Sequence, residues 1–202
     1  QSDGVTSVSA DLRRETYEYF AIEKDITVIP NFIDLHRFKK QEKSHFRAAI
    51  APEGEKLLIH TSNFRTVKRV EDVLRIFVGV REKIPAKLLL VGDGPDRRAA
   101  DRNRMEKLAR ELDCHRDLRF LGKLEAVEEV LSVGDLFLMP SENESFGLAA
   151  LEAMACEVPV VSTNAGGIPE LNVHGVTGML SEIGDVPDMV KNALYVLDDE
   201  NL

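Results

Sequence analysis

Short apolar runs alternate along most of the chain with longer segments in which apolar residues recur every three or four positions. The short runs are typical of buried strands, and the periodic segments are typical of helices that cover a sheet. The predicted strands span residues 56–62, 86–91, 118–121, 136–139, 158–162 and 178–180. The predicted helices span residues 70–83, 96–112, 127–132 and 186–197, and another begins near Leu148. This order predicts an α/β, Rossmann-like fold, a parallel sheet with helices on both faces.

The beginning of the chain repeats the same pattern on a smaller scale. Residues 5–9 are predicted to form a strand, and a helix follows to about Phe20 with Ser9 or Asp11 as its cap. Residues 26–29 are predicted to form a second strand. This strand, helix and strand therefore form a small unit ahead of the main alternation.

A connector is predicted between this small unit and the rest of the chain. Residues 34–55 show no strong periodicity, although 44–50 fit a short helix. We therefore expect three parts, residues 1–33, the connector 34–55, and the main unit 56–202. The chain begins within a strand pattern and ends just after a helix, so we expect it to be a piece of a longer protein.

The loops that follow the predicted strands share an unusual composition. They span residues 63–69, 92–95, 122–126, 141–147 and 163–169, and they are rich in glycine, small polar and basic residues. In open α/β sheets, ligands bind beyond the carboxyl ends of the strands. This edge of the sheet is therefore predicted to bind a phosphate-bearing ligand.

Two carboxylates, Glu144 and Glu152, bracket the turn and the helix that follow the strand 136–139. Glu152 lies two helical turns beyond Glu144, so its side chain can lie on the same side of the helix as the turn. A carboxylate accepts two hydrogen bonds at once, which suits the diol of a ribose. A capped helix with two solvated acids fits the same spacing equally well.

The turn between these carboxylates is predicted to end at a helix N-terminus. It contains Ser145, Phe146 and Gly147, and the helix starts near Leu148. Backbone amides at such a position lack partners within the helix and suit a sugar hydroxyl or a phosphate. Glycine at position 147 lets the backbone approach a ligand closely.

A basic loop follows the first strand of the main unit. Its cations are Arg65, Lys68 and Arg69. Positive charge at a strand end suits a diphosphate, whose charge grows when it departs as a leaving group. A solvated basic loop is the competing interpretation.

The segment Gly92-Asp93-Gly94-Pro95 predicts a tight turn after the second strand of the main unit. It lacks the spacing of glycines that marks a dinucleotide-binding helix. We interpret Gly92 either as part of a plain turn or as part of a pocket for a base.

Composition narrows the range of partners. A net charge of −9 disfavours nucleic acid, because binding to phosphate backbones needs clustered Lys and Arg. No apolar run approaches the roughly 20 residues that cross a bilayer, so no stable membrane insertion is expected. Cys114 and Cys156 are predicted to be unpaired thiols, which favours a reducing, cytoplasmic location. The histidines are scattered, so neither a metal site nor a catalytic histidine is expected.

Taken together, these motifs resemble the retaining glycosyltransferases of family 4. Glu144 and Glu152 match the family's motif of two glutamates separated by seven residues. The segments that fall in the family's order and spacing are 28–34, 88–95, 120–122, 135–141, 159–162 and 166–170. The resemblance covers nearly the whole chain and implies one lobe of a GT-B fold, in which two Rossmann-like lobes face each other across a cleft.

In that fold each of the three predicted parts has a place. Residues 1–33 would be the end of a truncated N-terminal acceptor lobe, and residues 34–55 would connect the lobes. Residues 56–202 would be the C-terminal lobe that binds the nucleotide sugar. The missing part of the acceptor lobe would then be a partner, and a homo-oligomer is compatible with this arrangement.

The resemblance implies roles for the residues around the two glutamates. Glu152 would bind the ribose hydroxyls, and Glu144 would bind the donor sugar and take part in catalysis. The amides of Phe146 and Gly147 would hold sugar hydroxyls, with Ser145 beside them, and the amide of Leu148 would hold a phosphate. The backbone near Lys123 and Leu124 would contact the uracil.

The basic loop departs from the family at one position. Most relatives have an arginine where this chain has Asn63, whereas Lys68 keeps the lysine that binds the diphosphate. A second positive charge would therefore have to come from Arg65 or Arg69. Two further departures concern helix ends, where Glu157 replaces a glycine and Ala126 replaces a capping residue.

Within family 4, residues 60–72 resemble enzymes that transfer N-acetylglucosamine to L-malate in bacillithiol biosynthesis. This resemblance implies a UDP-GlcNAc donor and retaining transfer to a small hydroxy acid such as L-malate, without a metal, a cofactor or a protein nucleophile. The isolated chain would bind the donor but transfer little. Two alternatives remain, a non-catalytic module that binds nucleotide sugars and a family 4 transferase with another acceptor.

Overall fold

The chain folds into alternating strands and helices, and the computed structural model describes residues 3–42, 44–92 and 99–198. The strands are β1 Val5–Ser7, β2 Ile26–Val28, β3 Lys56–Thr61, β4 Ala86–Val91, β5 Leu118–Gly122, β6 Leu136–Met139, β7 Val160–Thr163 and β8 Gly178–Ser181. The helices are α1 Ala10–Tyr19, α2 Ser44–Ile50, α3 Val70–Arg81, α4 Ala99–Glu111, α5 Val127–Leu131, α6 Leu148–Ala155 and α7 Val186–Asp198. Short 3-10 turns, Thr66–Lys68 and Ile168–Glu170, follow β3 and β7.

Strands β3 to β8 form one parallel sheet in the order β5-β4-β3-β6-β7-β8. The chain builds from β3 outward to β5, then returns to the other side of β3 and builds outward to β8. Strands β3 and β6 are therefore neighbours, with Leu58 beside Leu136 and Ile59 beside Phe137. We call this junction the switch point. In doubly wound sheets, ligands bind at the carboxyl edge of the strands beside it.

Helices cover both faces of this sheet, which explains why its strands are continuous apolar runs. On one face, α3, α4 and α7 pack on the sheet, and Val73, Leu74 and Phe77 of α3 are fully buried. On the other face, α5 and α6 pack on the sheet through residues such as Leu131 and Ala150. Because both faces are covered, the loops at the carboxyl edge are the part of the sheet that can meet a ligand.

The first residues form a small parallel unit of their own. Strands β1 and β2 pair with each other, and α1 connects them. The hydroxyl of Ser9 caps α1 by accepting a hydrogen bond from the amide of Leu12 at 3.0 Å. The carboxylate of Glu170 accepts hydrogen bonds from the amides of Ala10 and Asp11, each at 2.9 Å. A carboxylate is favoured at a helix N-terminus, so Glu170 ties this unit to the main sheet.

The predicted α/β, Rossmann-like fold with a parallel sheet is confirmed. The basic loop 63–69 differs from the prediction because it contains the 3-10 turn Thr66–Lys68. The last strand before the glycine-rich turn begins at Val160 rather than at Val158. Residues 93–95 of the predicted turn and 96–98 of the predicted α4 lie outside the described residues. The division of the chain into lobes stays a prediction.

Both departures at helix ends have a visible structural counterpart. Glu157, just beyond α6, has a φ of 58°, the left-handed conformation that favours glycine. Ala126 precedes α5 and provides no side-chain cap.

None of the helices in the described residues has the length and apolar character needed to cross a bilayer.

Candidate functional site

At the switch point, the loops that follow β3 and β6 are joined by an ion pair. The ammonium of Lys68 donates to Oε1 of Glu144 at 2.6 Å, although the two residues are 76 positions apart in sequence. The hydroxyl of Ser141 donates to the same oxygen at 2.8 Å. Both charged side chains are mostly buried, with 22% of Lys68 and 15% of Glu144 exposed. The fold therefore holds one cation and one carboxylate at the carboxyl edge of adjacent strands.

Helix α6 begins directly beside this pair. Gly147 has a φ of 93°, so a left-handed residue turns the chain into the helix. The amides of Phe146, Gly147 and Leu148 make no hydrogen bond within the described residues. Unpaired amides at a helix N-terminus attract anions and hydroxyl oxygens. These three amides therefore lack a protein partner close to the Lys68–Glu144 pair.

A cleft of about 320 Å³ opens over these groups. Its lining residues are His60, Thr61, Ser62, Asn63, Lys68, Met139, Ser141, Glu144, Leu148, Ala149 and Glu152. Five predicted site residues thus share one cavity, namely Asn63, Lys68, Glu144, Leu148 and Glu152. Ser145, Phe146 and Gly147 form the turn that leads into α6, where Phe146 and Gly147 are buried and Ser145 is exposed.

Two glycines after β7 let a second loop press against the turn that carries Glu144. A Cβ at Gly166 would lie 2.3 Å from the carbonyl oxygen of Glu144, and one at Gly167 would lie 2.4 Å from that of Ser145. The amide of Gly167 donates to the Glu144 carbonyl at 2.7 Å. The glycines therefore do more than form a turn, because their backbone supports the position of Glu144 from behind.

His60 lies beneath the cleft and joins β3 to β6. Its Nδ1 lies 2.8 Å from the carbonyl oxygen of Leu138, and its Nε2 lies 2.8 Å from the hydroxyl of Ser62. A carbonyl only accepts, so Nδ1 carries the proton and the Ser62 hydroxyl donates to Nε2. The Ser62 oxygen in turn accepts from the amide of Phe64 at 3.1 Å. This chain of hydrogen bonds orients the start of the basic loop.

The environment of His60 keeps the ring neutral. The pKa of the ring is lowered from 6.5 to about 4. Burial is the main cause, the hydrogen bond to Leu138 opposes the shift, and the charge of Lys68 adds to it. A neutral ring avoids placing a second buried cation beside Lys68. The prediction that no histidine is catalytic did not identify this role, because periodicity showed His60 only as a strand residue.

The two arginines of the basic loop do not line this cleft. The guanidinium of Arg69 binds the carboxylates of Asp72, at 2.6 Å, and Glu142, at 2.7 Å. Arg65 is exposed. Both arginines instead line a separate cavity of about 170 Å³ between the start of α3 and α4. Of the three predicted cations, the structure therefore brings only Lys68 into the cleft.

The remaining predicted residues lie on the neighbouring loops of the same edge. Gly92 has a φ of 121°, and a Cβ there would lie 1.7 Å from the carbonyl oxygen of Ser62, so the loops after β3 and β4 touch. The amide of Gly92 donates to the carbonyl of Gly122 at 2.8 Å. Lys123 is exposed, and Leu124 packs partly on the core. None of these three predicted residues lines the cleft that contains Lys68.

Glu152 forms the far wall of the cleft on α6. Burial raises the pKa of its carboxyl group, the nearby guanidinium of Arg37 opposes this shift, and the charge of Glu128 adds to it. Arg37 belongs to the predicted connector and donates to the carboxylate of Glu128 at 2.9 Å and to the carbonyl of Glu125.

Within the described ranges, no group of three or more His, Cys, Asp and Glu side chains lies close enough together to hold a metal ion.

A parallel sheet whose order reverses beside a charged cleft defines a Rossmann-like ligand-binding domain. Comparison with known families identifies which class of ligand-binding domain this is. The family described as glycosyl transferases group 1 matches residues 41–202, and the chain belongs to this family. The resemblance inferred from the two glutamates and the surrounding segments is thereby confirmed.

Curated relatives include proteins with different names. The chain is 45% identical over its whole length to N-acetyl-alpha-D-glucosaminyl L-malate synthase of Bacillus anthracis, of which it covers 52%. It is 35% identical over 81% of its length to a sulfoquinovosyl transferase of Arabidopsis thaliana, of which it covers 30%. The chain thus spans about half the length of the first relative and less of the second.

Solved structures with a similar fold include an Anabaena protein, HepE, in complex with UDP and glucose. This comparison gives a TM-score of 0.90 at 23% identity and covers 98% of this chain and 54% of the other. Sucrose-phosphate synthase from Thermosynechococcus elongatus gives a TM-score of 0.88 at 24% identity and covers 98% and 50% of the two chains. These likenesses show that the fold is that of one lobe of a GT-B glycosyltransferase.

Proposed function

We propose that this chain is the donor-binding half of a retaining glycosyltransferase that transfers N-acetylglucosamine from UDP-GlcNAc to a small hydroxy acid such as L-malate. The observation that carries the proposal is the contact between Lys68 and Glu144 beside the unpaired amides of α6. The identity of 45% to a synthase of that name in Bacillus anthracis supports the choice of donor and acceptor.

Lys68 and the backbone amide of Leu148 suit a departing diphosphate. When the bond from the sugar to the phosphate breaks, both electrons stay with the phosphate oxygen, and negative charge grows on UDP. An ammonium has three donors; in Lys68 one of them binds Glu144, which leaves two for phosphate oxygens. The amide of Leu148 adds the positive end of the α6 dipole. We propose that these groups neutralise the leaving group without a metal ion.

The two glutamates suit the two sugars of the donor. Oε1 of Glu144 is occupied by Lys68 and Ser141, whereas Oε2 makes no hydrogen bond within the described residues. This second oxygen and the amides of Phe146 and Gly147 are proposed to hold hydroxyls of the transferred sugar. The carboxylate of Glu152 on the far wall is proposed to accept the two hydroxyls of the ribose.

Binding of UDP tests these roles directly. We expect Glu152→Ala to weaken UDP binding by at least about tenfold, because a diol would lose its only carboxylate acceptor. We expect Glu144→Ala to weaken binding of UDP less, because its proposed partner is absent from UDP. Calorimetric titration of the chain and both variants with UDP measures the difference.

The matched control is Glu106→Ala, which removes a carboxylate that pairs with Arg102 on α4 and does not line the cleft. This variant is expected to bind UDP like the unchanged chain. Equal UDP affinities for the Glu144 and Glu152 variants would overturn the assigned roles. A chain that binds neither UDP nor UDP-GlcNAc would overturn the proposed function itself.

A second acceptor class has specific support. Relatives of this chain include D-inositol 3-phosphate glycosyltransferases, for example one from Mycolicibacterium smegmatis that is 31% identical over 87% of this chain. Product analysis distinguishes the two acceptors. The full-length protein is incubated with UDP-GlcNAc and either L-malate or inositol phosphate, and the glycosylated product is identified. Transfer to L-malate supports the first proposal, and transfer only to inositol phosphate replaces it.

A further inference from the structure

Two ion pairs, on opposite sides of the basic loop, join it to the loop after β6. On the cleft side, Lys68 contacts Glu144 at 2.6 Å. On the other side, the next residue, Arg69, contacts Glu142 at 2.7 Å. Between them, the amide of Glu142 donates to the carbonyl of Val67 at 2.8 Å. The two loops are therefore held together at three adjacent points.

The guanidinium of Arg69 is enclosed on its own side of the loop. Asp72 at the start of α3 binds it at 2.6 Å, and the side chain of Asp72 is only 7% exposed. A Cβ at Gly184 would lie 3.3 Å from Nη2 of Arg69, so the loop after β8 lies against the guanidinium as well. Arg69 thus contacts three separate elements, and none of these contacts is in the cleft that contains Lys68.

The backbone conformation of Arg69 allows the side chains of Lys68 and Arg69 to point to different sides of the basic loop. Arg69 has φ 47° and ψ 45°, a left-handed conformation between the 3-10 turn and α3. This conformation costs free energy for a residue with a Cβ. The ion pairs of Arg69 with Asp72 and Glu142 offset that cost. A residue in this conformation lets consecutive side chains leave the turn on opposite sides.

We propose that Arg69 is a positioning residue, which fixes Lys68 opposite Glu144 by binding Glu142, and that it is not itself a ligand of the donor diphosphate. This inference rests on the proposed function, because it concerns the cation that would bind UDP. It assigns to Glu142 a role in donor binding that its exposed position does not suggest. It also leaves Lys68 as the cation of the basic loop that meets the diphosphate.

A double-mutant cycle with Arg69→Met and Glu142→Ala tests the proposal. Each single change is expected to weaken UDP affinity about fivefold, as loss of a well-formed ion pair would. The double variant is expected to bind UDP no more weakly than either single variant, because both changes break the same link. The affinity for uridine, which has no phosphate, is expected to stay unchanged in all three variants.

Arg81→Met is the matched control, because Arg81 pairs with Asp117 at 2.8 Å at the other end of α3 and is similarly exposed, at 26% against 28% for Arg69. It is expected to lower the melting temperature but not the affinity for UDP. Arg69→Lys, which keeps the charge, is expected to restore part of the lost affinity.

Each possible outcome decides between the two roles. If Arg69 binds the diphosphate directly, Glu142→Ala will leave UDP affinity unchanged or increase it, and the positioning role is then wrong. If the two single changes have independent, additive effects, the proposed link through Glu142 is also wrong. If the unchanged chain fails to bind UDP, the proposed function fails first, and this result is distinct from both others.

Discussion

At the scale of single residues, the buried His60 makes stability depend on pH. Its pKa is about 4 in the folded chain against 6.5 in the unfolded chain, because burial disfavours the charged ring. Between these values the unfolded chain binds a proton that the folded chain does not. The contribution of the neutral ring to the free energy of unfolding is therefore fully present above pH 6.5 and is lost as the pH falls toward 4. The total loss is about 3 kcal/mol.

Urea unfolding across this pH range checks the prediction. His60→Gln is expected to flatten the decline in the free energy of unfolding between about pH 6.5 and pH 4. His36→Gln removes an exposed histidine and serves as the matched control. A decline that is equally steep in the unchanged chain and in the His60 variant would show that this ring is not the cause.

Also at the residue scale, the sequence identified the charged residues of the site better than it identified their ion-pair partners. Lys68, Glu144 and Glu152 were identified because a cation and two carboxylates followed predicted strands and flanked a helix start. The link between Arg69 and Glu142 was not predictable, because it joins positions 73 apart in sequence. Local patterns contain no information on which strand lies beside which, and that arrangement decides whether a cation is free or paired.

At the scale of elements, the turn after β7 depends on the absence of a side chain at Gly166. Gly166→Ala would place a Cβ 2.3 Å from the Glu144 carbonyl and 2.7 Å from Oδ1 of Asn143. We expect it to lower the free energy of unfolding by about 2–3 kcal/mol, from overpacking together with a positive φ. We also expect weaker binding of UDP-GlcNAc, because Glu144 must move.

Gly175 provides a matched comparison that separates these two causes. It has a φ of 73° against 57° at Gly166, but a Cβ there would meet nothing within 4 Å. Gly175→Ala is therefore expected to cost only about 1 kcal/mol, from the backbone alone. Chemical denaturation measures both variants. Equal losses for the two would contradict the role of Gly166 in supporting Glu144.

The elements themselves were largely predictable because each strand of the main sheet is a short apolar run covered on both faces. The 3-10 turn Thr66–Lys68 was not predictable, because neither a glycine nor a proline marks the left-handed Arg69 that ends it. The tie between Glu170 and α1 was also missed, since a carboxylate beside Pro169 looks the same in sequence whether it caps its own turn or another helix.

At the scale of the whole molecule, Glu170 makes two of the contacts that join the small N-terminal unit to the main sheet through α1. Glu170→Ala removes two charge-assisted hydrogen bonds, to the amides of Ala10 and Asp11. We expect the amides of α1 to exchange hydrogen at least about tenfold faster, because local opening becomes easier. Amides of β3 and β6 are expected to keep their protection.

Hydrogen exchange followed by mass spectrometry measures this difference along the chain. Glu18→Ala is the matched control, because it removes a carboxylate whose ion pair with Arg14 is exposed and lies within α1. Faster exchange spread evenly over the main sheet would contradict the view that Glu170 acts on the N-terminal unit. An unchanged α1 would show that other contacts hold it.

The position of the site at the switch point also has a consequence for the order of folding. Strands β3, β4 and β5 follow one another and can pair as soon as they exist, whereas β6 reaches β3 only by closing a loop that spans the separation of 78 positions between Leu138 and His60. Until that closure, Lys68 has no Glu144 to meet. A ligand that needs both loops therefore binds only after β6 has joined β3, and by mass action it favours that step of assembly.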